Sequence, residues 1–448
     1  MNAVAQTQSV TEGLADLLGR PVGDADRARA ALHLIDWVGC ALAGRGTATG
    51  RALCAGALFA DVDMTSDHAL AGLAFDLGSL GSILEMDDVD RQGLLHPGPV
   101  VVAAALALAR DHRGGAVLDA IVRGYEAMIR LGRAVGSGHY AFFHNTSTTG
   151  GLGAAVAASG LLGLQGPALV SAMGNALSVT GGLWQCRHEP VMTKPFHCAE
   201  AARCGATTAL LARNGVTGPR FILEGPQGMF AAVCPGGHAS AVLGAADAGW
   251  RIHEVSFKPW PACRHAHAAI DAALALRDRV EPGAIARIEI ETYADAVTFC
   301  DRVEPRTENE AKFSLQHSVA VALLDGPPPM TAFEPGALDR PAIAGLRRLA
   351  TVKRDDAHTA AYPRHFGTAV AVIMTDGRRV EARVDDAWGD GENPMSADAI
   401  LAKFRTLAAH AGVSDATAAA LVAAASALAD DAPVAPLCAA LADAFSQD

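Results

Sequence analysis

The sequence predicts a mainly α protein in which both chain ends build one large all-helical domain and a smaller α+β domain is inserted between them. Three observations support this fold class. Helical periodicity runs with few breaks to about residue 254, strand-like alternation appears between about 255 and 395, and helical periodicity returns after Ser396. The expected domains are residues 1–254 (helical), 255–395 (α+β) and 396–448 (helices that rejoin the first domain).

The first domain contains successive helical patterns separated by Gly or Pro. Leu32, Ile35 and Val38 recur at three-residue spacing, and Gly44 follows as a stop signal. The predicted helices lie around 11–18, 25–44, 68–86, 98–112, 115–134, 148–162 and 198–214.

The middle of the chain carries the strand signals. Ile288, Ile290 and Thr292 alternate with charged residues, which is the period of a strand with one wet face. Asp376-Gly377 lies between two alternating runs and predicts a hairpin. In the last stretch, Ser396 is a suitable N-cap for a helix.

Composition excludes several classes of protein. The net charge is −12 over 448 residues, so no general basic face is available for nucleic acid or an anionic membrane surface. The nine cysteines are scattered, as in a protein with reduced thiols. The first residues lack a signal-peptide pattern, and the run 100–109 is too short to cross a bilayer. We expect a soluble cytoplasmic protein.

Two histidine-containing segments precede helices. In "LEMDDVDRQGLLHPG", four acidic residues beginning at Glu85 lead to His96, followed by Pro97-Gly98. This segment is either a solvated acidic loop or a site where His96 and a helix N-terminus face a substrate carboxylate. His144, in "YAFFHNTSTTGG", precedes five hydroxyl or amide side chains and is either a helix cap or a catalytic group.

Lysines mark two further candidate positions. Lys194 precedes Pro195, which is expected to hold it at a rigid corner before the next helix. Desolvation or neighbouring cations favour the neutral amine, so Lys194 can serve as a base, although most lysines lie at the surface. Lys258 lies in "SFKPWPACRHAH" near the domain boundary, and clefts between domains are preferred ligand sites.

The remaining motifs give weaker indications of a binding site. His317 lies on a helical pattern of the second domain and is either a core histidine or a ligand-binding group. His265 and His267 lack a complementary ligand set, so we expect no metal. Near-matches to dinucleotide-binding motifs are incomplete, so we expect no organic cofactor.

Seven segments between about residues 30 and 408 share their order and spacing with one known family. They are "DWVGCALAG", "EMDDVDRQGLLHPG", "FHNTSTTGGLGAAVAAS", "KPFHCAEAARCGATTALLARNGVTGPRFILEGPQGMF", "FKPWPACRHAHAAIDAAL", "AKFSLQHSVAVALLDG" and "DDAWGDGENPMSADAILAKF". Through them the chain resembles the MmgE/PrpD family, which includes 2-methylcitrate dehydratase, cis-aconitate decarboxylase and an iminodisuccinate epimerase. The resemblance implies a helical domain with an α+β lid, a homodimer, and no metal or organic cofactor.

The resemblance also implies an active site. By position in the matching segments, the catalytic residues are Lys194 and His144, and the substrate-binding residues are Glu85, His96, Lys258 and His317. Three departures concern the substrate: Glu85 replaces the aspartate of the decarboxylases, Cys263 replaces their histidine, and Cys198 replaces the glycine of many members.

The expected function is that of a cofactor-independent lyase. Such an enzyme, a dehydratase or decarboxylase, would move a proton beside a carboxylate of a small di- or tricarboxylate. One alternative is an epimerase of a dicarboxylate or aminodicarboxylate such as iminodisuccinate. A second alternative, of another class, is a carboxylate-binding protein without catalysis.

Overall fold

The chain folds into two compact units. The first comprises the residues up to Ile83, Asp87–Val255 and the residues from Ser396; the second comprises Leu84–Met86 and Ser256–Met395. The predicted mainly α class with a small α+β part is confirmed. The three residues Leu84–Met86 pack with the second unit, which the sequence did not indicate. This computed structural model describes residues 8–54, 58–59, 62–189 and 191–446.

The first unit is built from helices at both ends of the chain. Several begin at side-chain caps: Ser9 and Glu12 form a capping box, and Ser66 and Ser396 cap two further helices. The α-helices are α1 (Val10–Leu18), α2 (Asp24–Arg45), α3 (Ala48–Leu53), α4 (Asp67–Leu80), α5 (Gly98–Leu108), α6 (Gly114–Ala134), α7 (Ser137–Tyr140), α8 (Asn145–Leu161), α9 (Gly166–Ser178), α10 (Thr193–Arg213) and α11 (Met229–Val233); the α-helices after the second unit, α19 to α21, are Ala397–His410, Asp415–Ser426 and Ala435–Phe445.

Two helix boundaries differ from the sequence prediction in ways that matter for the site. The helix predicted over 68–86 ends at Leu80, so the acidic segment that follows is not helical. The helix predicted from 198 begins at Thr193 instead. Pro195 is tolerated there because the first N–H groups of a helix have no intrahelical acceptor. Lys194 therefore lies in the first turn of α10, not at a corner before it.

The core of the first unit surrounds α5, whose residues Val100–Ala107 are fully buried. Small side chains let the neighbouring helices approach closely. A Cβ atom at Gly153 of α8 would lie 2.8 Å from the carbonyl oxygen of Gly124 of α6. The abundance of Ala and Gly in the sequence thus corresponds to close helix packing.

The second unit contains a four-stranded sheet of order β2-β1-β3-β4. Its strands are β1 (Ile285–Thr292), β2 (Ala350–Arg354), β3 (Thr368–Met374) and β4 (Arg379–Val384), with β1 and β2 parallel and the other pairs antiparallel. The α-helices of this unit, α12 to α18, are His267–Leu276, Ala294–Cys300, Glu308–Lys312, Leu315–Leu324, Pro335–Leu338, Pro341–Leu349 and Asp356–Ala361.

Two strand predictions in this unit are confirmed. Ile288, Ile290 and Thr292 are fully buried on one face of β1, as the alternation indicates. The turn between β3 and β4 contains Asp376 and Gly377, and Gly377 has a φ of +87° that only glycine adopts at little cost. The sequence did not indicate β2.

One buried ion pair joins the two ends of the chain within the first unit. Lys403 of α19 places its Nζ atom 2.6 Å from Oδ1 of Asp36 on α2, and both side chains are almost fully buried. Removing one partner of such a pair leaves a charge in a poorly solvated place.

Among the described residues, none of the helices combines the length and the apolar character needed to cross a lipid bilayer.

We predict that Lys403→Ala lowers the free energy of unfolding by about 3–5 kcal/mol, because Asp36 would remain buried without its partner. Chemical denaturation measures this loss. Arg405→Ala, an exposed change on the same helix, is the control and should stay within about 0.5 kcal/mol of the parent. The double variant Asp36→Leu/Lys403→Met should regain most of the stability. Equal losses for Lys403→Ala and Arg405→Ala would contradict the prediction.

Candidate active site

The acidic segment before α5 is buried, which corrects its interpretation as a solvated loop. Glu85, Asp87, Asp88 and Asp90 are at most 4% exposed. Asp90, for example, accepts from the backbone N–H of Gly93 at 2.7 Å and pairs with Arg133. Each of these carboxylates has partners within the protein, so the segment forms a polar framework.

Asp88 connects three helices of the first unit. Its Oδ2 accepts hydrogen bonds from Tyr125 Oη and His33 Nδ1, both at 2.7 Å. Its Oδ1 accepts from the backbone N–H of Gly98 at 2.8 Å, the first residue of α5. The N-terminus of α5 is therefore occupied by the protein's own carboxylate. This corrects the interpretation that it faces a substrate carboxylate.

His96 is held by the same segment. Its Nδ1 lies 2.9 Å from the carbonyl oxygen of Asp88 and 2.9 Å from Oδ2 of Asp87. A carbonyl oxygen only accepts, so Nδ1 carries a proton in this arrangement. The backbone N–H of His96 donates to Thr146 Oγ1 at 3.1 Å, which fixes this segment to the start of α8.

His144 caps α8 through its backbone alone. Its carbonyl accepts from the N–H groups of Ser147 and Thr148, while its side chain makes no capping bond. The imidazole is 1% exposed, and its centroid lies 4.3 Å from that of Trp184. The polar side chains after His144 mostly bond internally; Thr149, for instance, donates to the carbonyl of Asn145 at 2.7 Å. Most of these side chains are therefore engaged within the protein.

The electrostatic surroundings of His144 are unusual for an acidic protein. Burial lowers the pKa of His144 well below 6.5, and electrostatic interactions with Lys194, His197, His96 and Arg187 lower it further. Arg187 lies over the ring of Trp184, with its Cζ 3.7 Å from the centroid. The ring of His144 is therefore neutral near pH 7, with cations close by.

His197 is the residue that sequence analysis missed here. Its Nδ1 lies 3.2 Å from Nδ1 of His144, and burial lowers its pKa as well. His197 follows Lys194 by three residues on α10, so both project from one face of that helix. The sequence analysis started this helix at 198, so it did not place Lys194 and His197 on one helical face. Lys194 itself is half-buried.

In the second unit, Glu85 and Lys258 form a buried pair. Lys258 Nζ lies 3.5 Å from Glu85 Oε2, and the lysine is fully buried. Glu85 has a φ of +57°, an uncommon conformation for a residue with a side chain. Such backbone strain persists where the surroundings fix it, often at ligand sites. This pair holds a carboxylate and an ammonium group out of bulk water.

His317 lies among protein partners in the second unit. Its Nε2 donates to the carbonyl of Ala332 at 2.8 Å, and its Nδ1 lies 3.3 Å from Nη1 of Arg347. Burial lowers the pKa of His317 to about 4, and Arg347 adds to this effect. Both ring nitrogens thus have protein partners, as expected for a core histidine. Substrate binding by His317 stays a prediction.

Potential metal ligands in the second unit have partners of their own. The pair considered in the sequence does not converge, because His265 Nδ1 bonds to Tyr293 Oη and His267 Nε2 to the carbonyl of Ala262. Within the described part of the chain, one group has ligand atoms within 4.8 Å of one another: His365, Asp386 and Glu392. In that group, His365 Nδ1 already bonds to Asp386 at 2.8 Å.

The structure therefore groups the predicted residues in two sets. His96, His144 and Lys194 lie together in the first unit, and Glu85 and Lys258 pair in the second. His317 bonds elsewhere in the second unit. The first set, with His197, places neutral imidazoles beside cations. That arrangement can bind a carboxylate and transfer a proton at an adjacent carbon.

Comparison with known proteins points to one family. A model described as the MmgE/PrpD N-terminal domain matches residues 15–241, and one described as the MmgE/PrpD C-terminal domain matches 260–428. Cis-aconitate decarboxylases of Mus musculus and Homo sapiens are 30% and 28% identical, each over 59% of this chain and 55% of the relative. A cis-aconitate decarboxylase-like protein of Aspergillus oryzae is 28% identical over 74% of each chain. The matched region spans about half the length of the mouse and human relatives.

We predict that His33 makes the first unit sensitive to acid. Burial lowers the pKa of His33 from 6.5 to about 4, although its bond to Asp88 acts in the opposite direction. The unfolded chain binds this proton near pH 6.5, so the contribution to stability is complete above that pH and declines as the pH falls towards 4. The loss is on the order of 3 kcal/mol.

The measurement is the free energy of unfolding of parent and His33→Asn between pH 7 and pH 4. Asparagine keeps a donor for Asp88 but does not titrate, so its stability should fall less with acid. Val38→Ala, a buried change on α2, is the control: it should lower stability by a similar amount at every pH. Parallel pH curves for the parent and His33→Asn would refute the prediction.

Proposed function

Because the chain belongs to the MmgE/PrpD family, we propose that it is a lyase, a dehydratase or decarboxylase, acting on a small di- or tricarboxylate. The reaction moves a proton at a carbon beside a carboxylate. The names of its relatives, which are cis-aconitate decarboxylases, support a lyase on a small polycarboxylate.

The observation that carries this proposal is the environment of His144. A neutral imidazole is available as a proton acceptor, and the charges of Lys194, His96 and Arg187 lie close enough to lower its pKa. When a carbon beside a carboxylate loses a proton, negative charge develops on the substrate. Positioned cations stabilise that charge, each contributing roughly 3 kcal/mol in the transition state.

The roles follow from this chemistry. Lys194 or His144 removes the proton beside the carboxylate, and the other acts as its acid partner. His96 presents a ring whose orientation is set by the Asp87 and Asp88 segment. Lys258 and Glu85 are proposed substrate-binding residues because they occupy matching positions in the family segments and are held out of solvent.

The chemical outcome is tested by supplying methylcitrate, citrate, cis-aconitate and aminodicarboxylates in deuterated water. Dehydration is expected to produce absorbance from a new conjugated double bond, and decarboxylation to release carbon dioxide. Deuterium entering a stereoisomer of the same formula would establish an epimerase instead. Tight binding of one acid without turnover of any would establish a binding protein and contradict the proposal.

We predict that Lys194→Ala and His144→Ala each lower kcat by about 10²-fold or more, because each removes a group that transfers the proton. The measurement is steady-state turnover of the acid identified in the panel. Arg203→Ala is the matched control, since Arg203 lies on the same helix as Lys194 with an exposed side chain that pairs with Glu200. Circular dichroism and thermal unfolding show whether each variant keeps its fold. Near-parental kcat for a folded Lys194→Ala would contradict the assigned role.

A further inference from the structure

The His144 ring meets a second imidazole through one nitrogen atom of each ring. His144 Nδ1 and His197 Nδ1 are 3.2 Å apart. Two lone pairs repel, and two N–H groups facing one another also repel, so one ring donates and the other accepts. The pair therefore shares one proton between its Nδ1 atoms. In the neutral pair, the ring that holds this proton on Nδ1 has a lone pair on Nε2. The other ring carries a proton on its Nε2.

The two rings differ in their surroundings. His144 faces the charges of Lys194, His96 and Arg187 in addition to His197, and it is 1% exposed. His197 is 7% exposed, and the cause of its lowered pKa is burial. A positive charge is thus less unfavourable on His197 than on His144. A proton bound to His144 therefore has a lower free energy after it moves to His197.

The position of His197 also provides a route to water. His197 lines a cavity of about 560 Å³ together with Ser147, Glu189 and Glu200. His144, by contrast, lies behind His197 with its ring against Trp184.

We propose that His197 is the proton-holding partner of His144, a positioning residue that receives and returns the proton which His144 exchanges with the substrate. This inference rests on the proposed function. As the substrate C–H bond breaks, its electron pair stays on carbon and the proton binds Nε2 of His144. The Nδ1 proton of His144 then passes to Nδ1 of His197, which becomes the cation. The reverse transfer supplies the proton when the carbon or the leaving group is protonated.

The test is His197→Gln, which keeps a hydrogen-bonding side chain but cannot hold the extra proton. On the acid that the parent turns over, kcat is expected to fall about 10²-fold with KM within about threefold, and the ionisation of the pair should disappear from the kcat/KM pH profile. Added imidazole should partly restore turnover to His197→Ala. Arg203→Gln, on the exposed side of the same helix, is the control for both kinetics and fold.

A second measurement does not depend on turnover. In protein labelled with ¹⁵N at histidine, the His144 resonances are assigned with His144→Gln. The parent should show a shared Nδ1 proton. His197→Gln should change the tautomer of His144 and raise its apparent pKa, because His197 is no longer present to take the first extra proton of the pair. If no acid is turned over by the parent, the proposed function fails, while this measurement still decides the pairing.

Two results overturn the inference. One is parental kcat and pH profile in a folded His197→Gln. The other is unchanged His144 nitrogen shifts across the pH range in His197→Gln, which would show that the two rings do not share a proton.

Discussion

The carboxylate of Asp88 determines the geometry of the first unit around the candidate site. It accepts from His33 on α2, from Tyr125 on α6 and from the first N–H of α5, so three helices meet at one buried group. Burial of a charge is costly unless several donors surround it, and here they do. The backbone carbonyl of the same residue orients His96. Core packing and the site are therefore coupled through one residue.

The charge distribution places cations around one imidazole of an acidic protein. The chain carries a net charge of −12, yet His144 lies where Lys194, His96 and Arg187 all lower its pKa. Charges close to His144 act through the protein interior, where the dielectric constant is low. The charges spread over the rest of the molecule are screened by solvent, so the nearby charges dominate. Neutral imidazoles next to cations are consistent with catalysis by proton transfer, since each ring can both accept and donate.

The backbone conformation fixes the positions of the candidate residues in each unit. In the first, the early start of α10 places Lys194 and His197 on one helical face. In the second, Glu85 adopts a φ of +57° and lies within 3.5 Å of the fully buried Lys258. Neither arrangement depends on a flexible surface side chain. Both are maintained by packing, so substitutions at these positions need a check of stability beside any assay of activity.

The sequence by itself determined the fold class, the buried face of β1 and the hairpin at Asp376-Gly377, because these follow from local periodicity and turn chemistry. It also determined family membership and the candidate residues by motif. Only the tertiary structure decided the rest. It buried the acidic segment at Asp88, started α10 at Thr193 and brought His197 to His144. The environment of Asp88 and the meeting of His197 with His144 involve contacts between residues 50 or more positions apart in the chain, which local patterns do not encode.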